Sequence, residues 1–279
     1  MNIHSSEEVI VNPDLYSEDY YYTDNEGCLE YKTGLESCMH EKFKRALELA
    51  SPNKGDNILD IGCGRGELVY YCAKIGAKAL GIDYSSAAIH ISRKTIERIP
   101  EDRRHLGRAE LGDVCTYNFD EIYDAIFMIE IIEHMHDWQL AEAFKKIYAI
   151  LKNDGKLIIT TQNYYYEKFL SPIKRVINIP LNIFKWPVRI IRGKYRPKNV
   201  NELLSKIFKV RINRGQANRM MHINVLTPNK IKMLLNNFDV KVECRDNSKN
   251  IVTLITRKWW GRDIIAIAKK KGPSHPHAD

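Results

Sequence analysis

Across 279 residues the chain has no run of about 18 uncharged apolar residues, so no helix is expected to span a bilayer. Residues 1–8 lack a basic stretch followed by an apolar one, so no secretory signal peptide is expected. Six cysteines occur, Cys28, Cys38, Cys63, Cys72, Cys115 and Cys244. None forms a Cys-x-x-Cys pair, and their spacing outlines no disulfide framework. The expected setting is therefore reducing and cytoplasmic. Glycine (15) and proline (10) are too sparse for a collagen-like chain, and 44% hydrophobic residues exclude a wholly disordered one. A chain of this length buries a sizeable core without staples. Forty-three Lys and Arg face thirty-five Asp and Glu, a net charge of +8. That balance fits nucleic acid, an anionic membrane or phosphorylated substrates alike.

No internal repeat is present. Between Asn57 and Gln162, strand-like runs alternate with helix-like ones. The expected strands are 57–61, 78–82, 109–111, 123–129 and 155–161, with helices over 39–50, 67–75, 87–98 and 139–151. Such alternation predicts a doubly wound, mostly parallel α/β sheet. Residues 164–221 break the pattern and read as an insertion. A helix over 228–237 and strands over 240–244 and 264–268 then return. This divides the chain into an N-terminal lid or arm (1–38), a core (39–163), a cap (164–221), the rest of the core (222–271) and a disordered tail (272–279).

The strongest local signal is Leu59-Asp60-Ile61-Gly62-Cys63-Gly64-Arg65-Gly66-Glu67. It follows a strand and opens a helix, and its glycines permit a sharp turn and close approach of a ligand. A dinucleotide fingerprint needs Gly where Glu67 stands. A carboxylate in the first helical turn would also repel a pyrophosphate. The turn suits a ligand with an adenosine and a cationic or zwitterionic end. Asp83 ends the second strand, where an acceptor-only group takes two ribose hydroxyls. Asp113 lies just past the third strand, within reach of an adenine amino group. All three lie at carboxyl ends of parallel strands, where open sheets bind ligands.

In order, Asp60-x-Gly62-x-Gly64-x-Gly66, Asp83, Asp113-Val114 and Leu151-Lys152-Asn153-Asp154-Gly155-Lys156 resemble the class I S-adenosylmethionine-dependent methyltransferases. The resemblance covers about residues 40–163 and the C-terminal strands. It implies a Rossmann-like, seven-stranded fold and S-adenosylmethionine as cofactor. It also implies that Asp60 and the backbone of Gly62, Cys63 and Gly64 hold the methionine moiety. Asp83 and Tyr84 would then meet the ribose, and Asp113 with Val114 the adenine. The bland reading of each aspartate is a helix cap.

After the fourth strand comes Glu130-Ile131-Ile132-Glu133-His134. Two carboxylates and an imidazole within five residues suit a divalent cation. His134 equally suits a general base, with Glu133 beside it. The cluster is similar to that of the ubiquinone-pathway O-methyltransferases and of the small-RNA 3′-terminal 2′-O-methyltransferases. The latter resemblance implies magnesium or another divalent cation on Glu130, Glu133, His134 and a distant histidine, for which His222 is the candidate. Two further readings stand beside it. In a metal-free site Glu130 touches the cofactor and His134 shapes the acceptor pocket. Alternatively, the histidine ahead of Thr227-Pro228 merely caps a helix.

Residues 168–214 hold thirteen basic residues and one acid, Glu202, a local +12 that leaves the rest of the chain at −4. Ile, Val, Phe and Trp are interleaved, and Pro172, Pro180, Pro187 and Pro197 are expected to cut the segment into short pieces. Such a composition fits an interfacial membrane surface. It fits a nucleic-acid track with Phe184, Trp186 or Tyr195 stacking on bases. It also fits a cap with a core of its own. At the other end, Tyr16, Tyr20, Tyr21 and Tyr22 belong either to a lid whose rings face a sulfonium or to an acidic disordered arm.

The expected activity is methyl transfer from S-adenosylmethionine to an oxygen of a small-molecule, sugar or lipid-linked acceptor. Peripheral membrane contact through 168–214 is a further expectation. The alternatives are a metal-dependent RNA 2′-O-methyltransferase and a non-catalytic cofactor-binding scaffold.

Overall fold

The computed structural model describes residues 10–193, 196–208, 221–246 and 261–272, with 174–182, 184 and 205–208 described by backbone alone. Seven strands form one sheet: β1 (Asn57–Ile61), β2 (Lys78–Asp83), β3 (Gly107–Leu111), β4 (Tyr123–Ile129), β5 (Leu151–Gln162), β6 (Phe238–Arg245) and β7 (Asp263–Lys270). Their order is β3-β2-β1-β4-β5-β7-β6. The first five run parallel, and β7 inserts antiparallel between β5 and β6. Chain order reverses between β1 and β4, which opens a crevice at their carboxyl ends.

The strands form where short apolar runs end in turn residues. Tyr123–Ile129 is almost wholly buried, as a strand covered on both faces must be. On one face pack α3 (Glu41–Ala50), α4 (Glu67–Lys74) and α5 (Ser86–Ile96), the last followed by the short α6 (Glu101–Arg104). On the other pack α7 (Asp137–Ile150) and α10 (Pro228–Leu234). Each fully buried Ile, Leu or Phe in these layers contributes about 1.5–3 kcal/mol by leaving water. The expected strand over 155–161 begins four residues earlier, at Leu151. Register shifts between Tyr123 and Ala125, so the regular ladder with β4 starts at Lys156.

Residues 10–37 are built into the fold. From residue 10 onward they carry α1 (Glu18–Thr23) and α2 (Cys28–Thr33), with Tyr16, Tyr21, Tyr31 and Leu35 buried in the core layer. The disordered-arm reading is overturned there, because these apolar rings find a surface to cover.

The cap also departs from expectation. Residues Ser171–Ile191 form one helix, α8, of 21 residues that runs through Pro180 and Pro187. Pro172 sits in the first turn, where the missing N–H would have no partner anyway. The other two prolines, seven residues apart, fall on one face and leave the opposite hydrogen-bond ladder continuous. A second helix, α9 (Val200–Phe208), packs against it. Pro197 does lie between helices. Lys194, Tyr195, Lys209, Arg211, Arg214 and the tail over 273–279 lie outside the described residues.

Candidate functional site

The turn after β1 is built on glycine. Gly62, Gly64 and Gly66 have φ of 70°, 51° and 76°, the left-handed region that side chains resist. At Gly62 and Gly66 space also opposes a side chain. A Cβ on Gly62 would lie 2.1 Å from Ile131 Cδ1, and one on Gly66 2.5 Å from Ser92 Oγ. The turn is thus clamped between the loop after β4 and helix α5. Glu67 does not present a free charge at the helix start, as the sequence suggested. It is buried and paired with Arg65 at 3.0 Å.

The resulting cleft is walled by Asp60, Gly62, Cys63, Gly64, Asp83, Tyr84, Asp113, Val114, Glu130 and His134, together with Tyr16, Tyr20 and Tyr21. Every residue assigned to the cofactor from sequence therefore meets at one place. Asp83 Oδ2 accepts from Gly64 N at 3.0 Å and Oδ1 from Ser85 N at 2.9 Å. Burial raises Asp83 to about 6, although those backbone bonds pull it down. Burial also lifts Asp60 well above the usual carboxylate range, helped by the charges of Asp83 and Glu67. These are desolvated carboxylates facing a hollow, which a cationic group and hydroxyl donors would relieve. Asp113 Oδ1 accepts from Cys115 N at 2.8 Å, so it also closes a local turn.

The N-terminal segment covers this cleft. Arg65, only 2% exposed, donates to Tyr21 O (2.9 Å), Asn25 Oδ1 (2.6 Å) and Glu26 O (3.0 Å). Tyr31 donates to or accepts from Thr95 at 2.8 Å, and Ser85 Oγ donates to Tyr16 O at 3.0 Å. Tyr16, Tyr20 and Tyr21 thereby line the cleft, while Tyr22 turns to Tyr31.

The acidic cluster follows β4. Glu130 adopts a left-handed backbone, φ 58°, unusual for a side-chain-bearing residue. Thr160 fixes it twice: Glu130 N donates to Thr160 O (3.0 Å), and Thr160 Oγ1 donates to Glu130 Oε1 (2.9 Å). Glu133 is 1% exposed and accepts from Thr161 Oγ1 at 2.8 Å, leaving its buried Oε1 without a hydrogen-bond partner. Burial and the nearby Glu130 charge raise its carboxyl well above the ordinary range. His134 Nδ1 lies 2.9 Å from Met221 O and 3.0 Å from the Tyr16 hydroxyl. A carbonyl only accepts, so Nδ1 carries the hydrogen and Nε2 keeps its lone pair. Burial lowers His134 to about 4, so the ring is neutral at neutral pH. The rings of His134 and His222 are 4.9 Å apart. Ligand atoms of Glu133, His134 and His222 all lie within 4.8 Å of one another. Glu130 is not in that set; its charge reaches both Glu133 and His222 through space. The helix-cap reading of His222 fails, because Thr227 Oγ1 caps α10 by accepting from Lys230 N.

Sequence reasoning missed the supporting residues. Arg65 carried a signal, a charge inside a small-residue turn. Thr160 and Thr161 carried a weaker one, two hydroxyls ending an apolar strand. Gln139, Lys42 and Asn25 at the cleft had none.

Comparison with known proteins settles the family. A profile described as a methyltransferase domain matches residues 35–245. The chain belongs to the class I S-adenosylmethionine-dependent methyltransferases. The chain is 31% identical over 154 residues to (S)-coclaurine N-methyltransferase of Papaver somniferum, covering 53% of this chain and 41% of that one. It is 29% identical over 134 residues to the ubiquinone biosynthesis O-methyltransferase of Rhodopseudomonas palustris, covering 47% and 50%. It is 27% identical over 143 residues to sphingolipid C9-methyltransferase 1 of Gibberella zeae, covering 49% and 27%. The matched part thus spans half or less of each of these relatives. Among solved structures, a methyltransferase of Archaeoglobus fulgidus superposes with a TM-score of 0.52 at 18% identity, covering 90% of this chain and 97% of that one. A glycopeptide N-methyltransferase complexed with sinefungin gives 0.53 at 14%, covering 85% and 90%. These structural likenesses concern the fold. The relatives between them methylate nitrogen, oxygen and carbon by name, so family membership leaves the acceptor atom open.

Proposed function

We propose that this methyltransferase methylates a hydroxyl oxygen of a small-molecule, sugar or lipid-linked acceptor, with His134 as the proton acceptor. One observation carries the reading: a neutral imidazole lines the cofactor cleft with Nδ1 occupied by Met221 O and the Nε2 lone pair unprotonated. Bound S-adenosylmethionine supplies an electrophilic methyl on a sulfonium. Asp60 and the glycine-turn backbone would hold the amino-acid end, and Asp83 would accept from the ribose hydroxyls. Asp113 and Val114 would hold the adenine, and the rings of Tyr16, Tyr20 and Tyr21 would offer their faces to the positive charge. His134 Nε2 takes the acceptor proton while the cleft walls hold the oxygen in line with the methyl. Glu130, fixed by Thr160, lines the same cleft.

The donor set of Glu133, His134 and His222 also fits a divalent cation. The unsatisfied, buried Oε1 of Glu133 is the atom that supports this, since it lacks any other partner. A cation there would activate the acceptor hydroxyl as a Lewis acid. This donor set also favours a second reading, a metal-dependent RNA 2′-O-methyltransferase. A non-catalytic scaffold is disfavoured by the complete set of cleft carboxylates.

A screen with labelled cofactor over sugars, phenols, lipid extracts and RNA tests these readings. Label in an O-methyl product that falls about 10²–10⁴-fold in His134→Gln, with cofactor affinity retained, is the expected result. Label on nitrogen or carbon sinks the oxygen assignment. Turnover unchanged by EDTA removes the metal.

A further inference from the structure

We propose that α8, with the turn before it and the first residues of α9, docks on the surface of an anionic lipid bilayer. The inference goes beyond the cleft and stands without the acceptor assignment.

Its first ground is charge. From Lys168 to Asn201 the chain holds nine Lys and Arg and no Asp or Glu. Along the helix and its C-terminal cap, basic residues or asparagine recur at 174/175, 178, 182, 185, 189 and 192, at three- to four-residue steps, and nearly every other position is apolar or proline. That spacing gathers the polar positions on one narrow strip of a helix and leaves a wide apolar remainder. A polar strip with no acid beside a broad apolar face is the pattern of a helix lying in a membrane interface.

The second ground is exposure. Lys185, Arg189 and Arg192 are exposed, and so are Ile183, Val188 and Ile191, the last at 84%. Of the fifteen large apolar side chains exposed among the described residues, seven fall within 169–204. Among the described residues the helix makes its main contacts with α9 and the preceding turn. Trp186 sits between the two characters, its ring 5.1 Å from the Arg189 guanidinium and 6.0 Å from Lys185 Nζ. Amphipathic rings favour that level of a bilayer, between headgroups and hydrocarbon. No described helix is long and apolar enough to cross a membrane, so the surface position is the one available.

These features select the occupant. Cations call for phosphate, and exposed Val188 and Ile191 call for hydrocarbon; an anionic bilayer supplies both within a few ångströms. A nucleic acid supplies phosphate without an apolar phase for isoleucine. A second copy would oppose two acid-free, basic helices. Docking also bears on the cleft, because the segment is braced at both ends of the site. Asn163 Nδ2 donates to Gly261 O (2.9 Å) where it leaves β5, and Met221 O holds His134 where it returns.

Flotation of the full chain tests this, with vesicles of phosphatidylcholine alone or mixed with phosphatidylglycerol. Binding is expected to the mixed vesicles only. It should weaken as salt approaches about 1 M, where screening length contracts to about 3 Å. Arg189→Gln and Arg192→Gln should each weaken partition about fivefold, and Ile191→Asp roughly tenfold or more. All three sites are exposed, and thermal melting checks that the variants fold. No flotation, equal flotation with both vesicle types, or variants that float like the original chain would overturn the proposal. So would a short RNA shifted in the same salt series without vesicle binding.

Discussion

The two segments that flank the sheet, the N-terminal lid and the α8 cap, start from similar material and end differently. Both mix aromatic or aliphatic residues with charge. In the lid, Tyr16, Tyr21 and Tyr31 are buried, and one guanidinium, Arg65, ties the backbone of two lid residues to the glycine turn. In the cap, Val188 and Ile191 stay in solvent and the charges around them are all of one sign. An apolar pattern therefore does not decide burial. Burial follows when the sheet offers both an apolar layer and polar partners for the backbone, as it does for the lid. Without such a layer, the face remains available to another phase.

That contrast can be broken by mutation, and the largest effect belongs to the lid. Arg65→Met leaves Glu67 buried without its cation and strips three lid oxygens of a donor. A loss of about 3–5 kcal/mol is expected in urea unfolding, with proteolytic cleavage moving into residues 10–37. A stability within error of the original chain would show that Arg65 is no anchor. Next comes Asp83, the carboxylate under the lid. Its unliganded value of about 6 means that it is charged above that pH and neutral below. Cofactor affinity by calorimetry should therefore be level above about pH 7 and fall as pH drops through 6, about tenfold for each unit below. A level profile to pH 5 would remove Asp83 from ribose binding. Tyr31→Phe, which loses only the hydroxyl bond to Thr95, should cost about 1 kcal/mol. At the bottom of the scale, Ile191→Asp on the cap should change stability by less than about 0.5 kcal/mol. A large loss there would mean that α8 packs on the body after all, and the contrast would collapse.

Much of the site was legible because its requirements are local. A left-handed turn at three positions calls for Gly62, Gly64 and Gly66 whatever surrounds them. Asp83 and Asp113 declared themselves by following strands, since strand ends in a parallel sheet face the crevice. Arg65, Thr160 and Thr161 were illegible because their partners lie across the fold. Arg65 and Asn25 are forty residues apart, and Glu133 and Thr161 twenty-eight. The continuity of α8 through Pro180 and Pro187 departs from the sequence expectation for a related reason. A proline removes one hydrogen bond locally, and the remaining ladder decides whether the helix survives.

The sequence by itself determined the layer order, the glycine turn and the identity of the cleft carboxylates, because period, turn chemistry and strand ends are properties of neighbours in the chain. It also determined that the basic charge resides in one segment. Only the tertiary structure decided that His134 meets His222 across 88 positions of chain, that Met221 O sets its tautomer, and that Glu133 Oε1 is left without a partner. It also decided which apolar segment is buried and which is exposed. Contacts between distant residues depend on how the sheet closes, and no spacing rule along the chain encodes that.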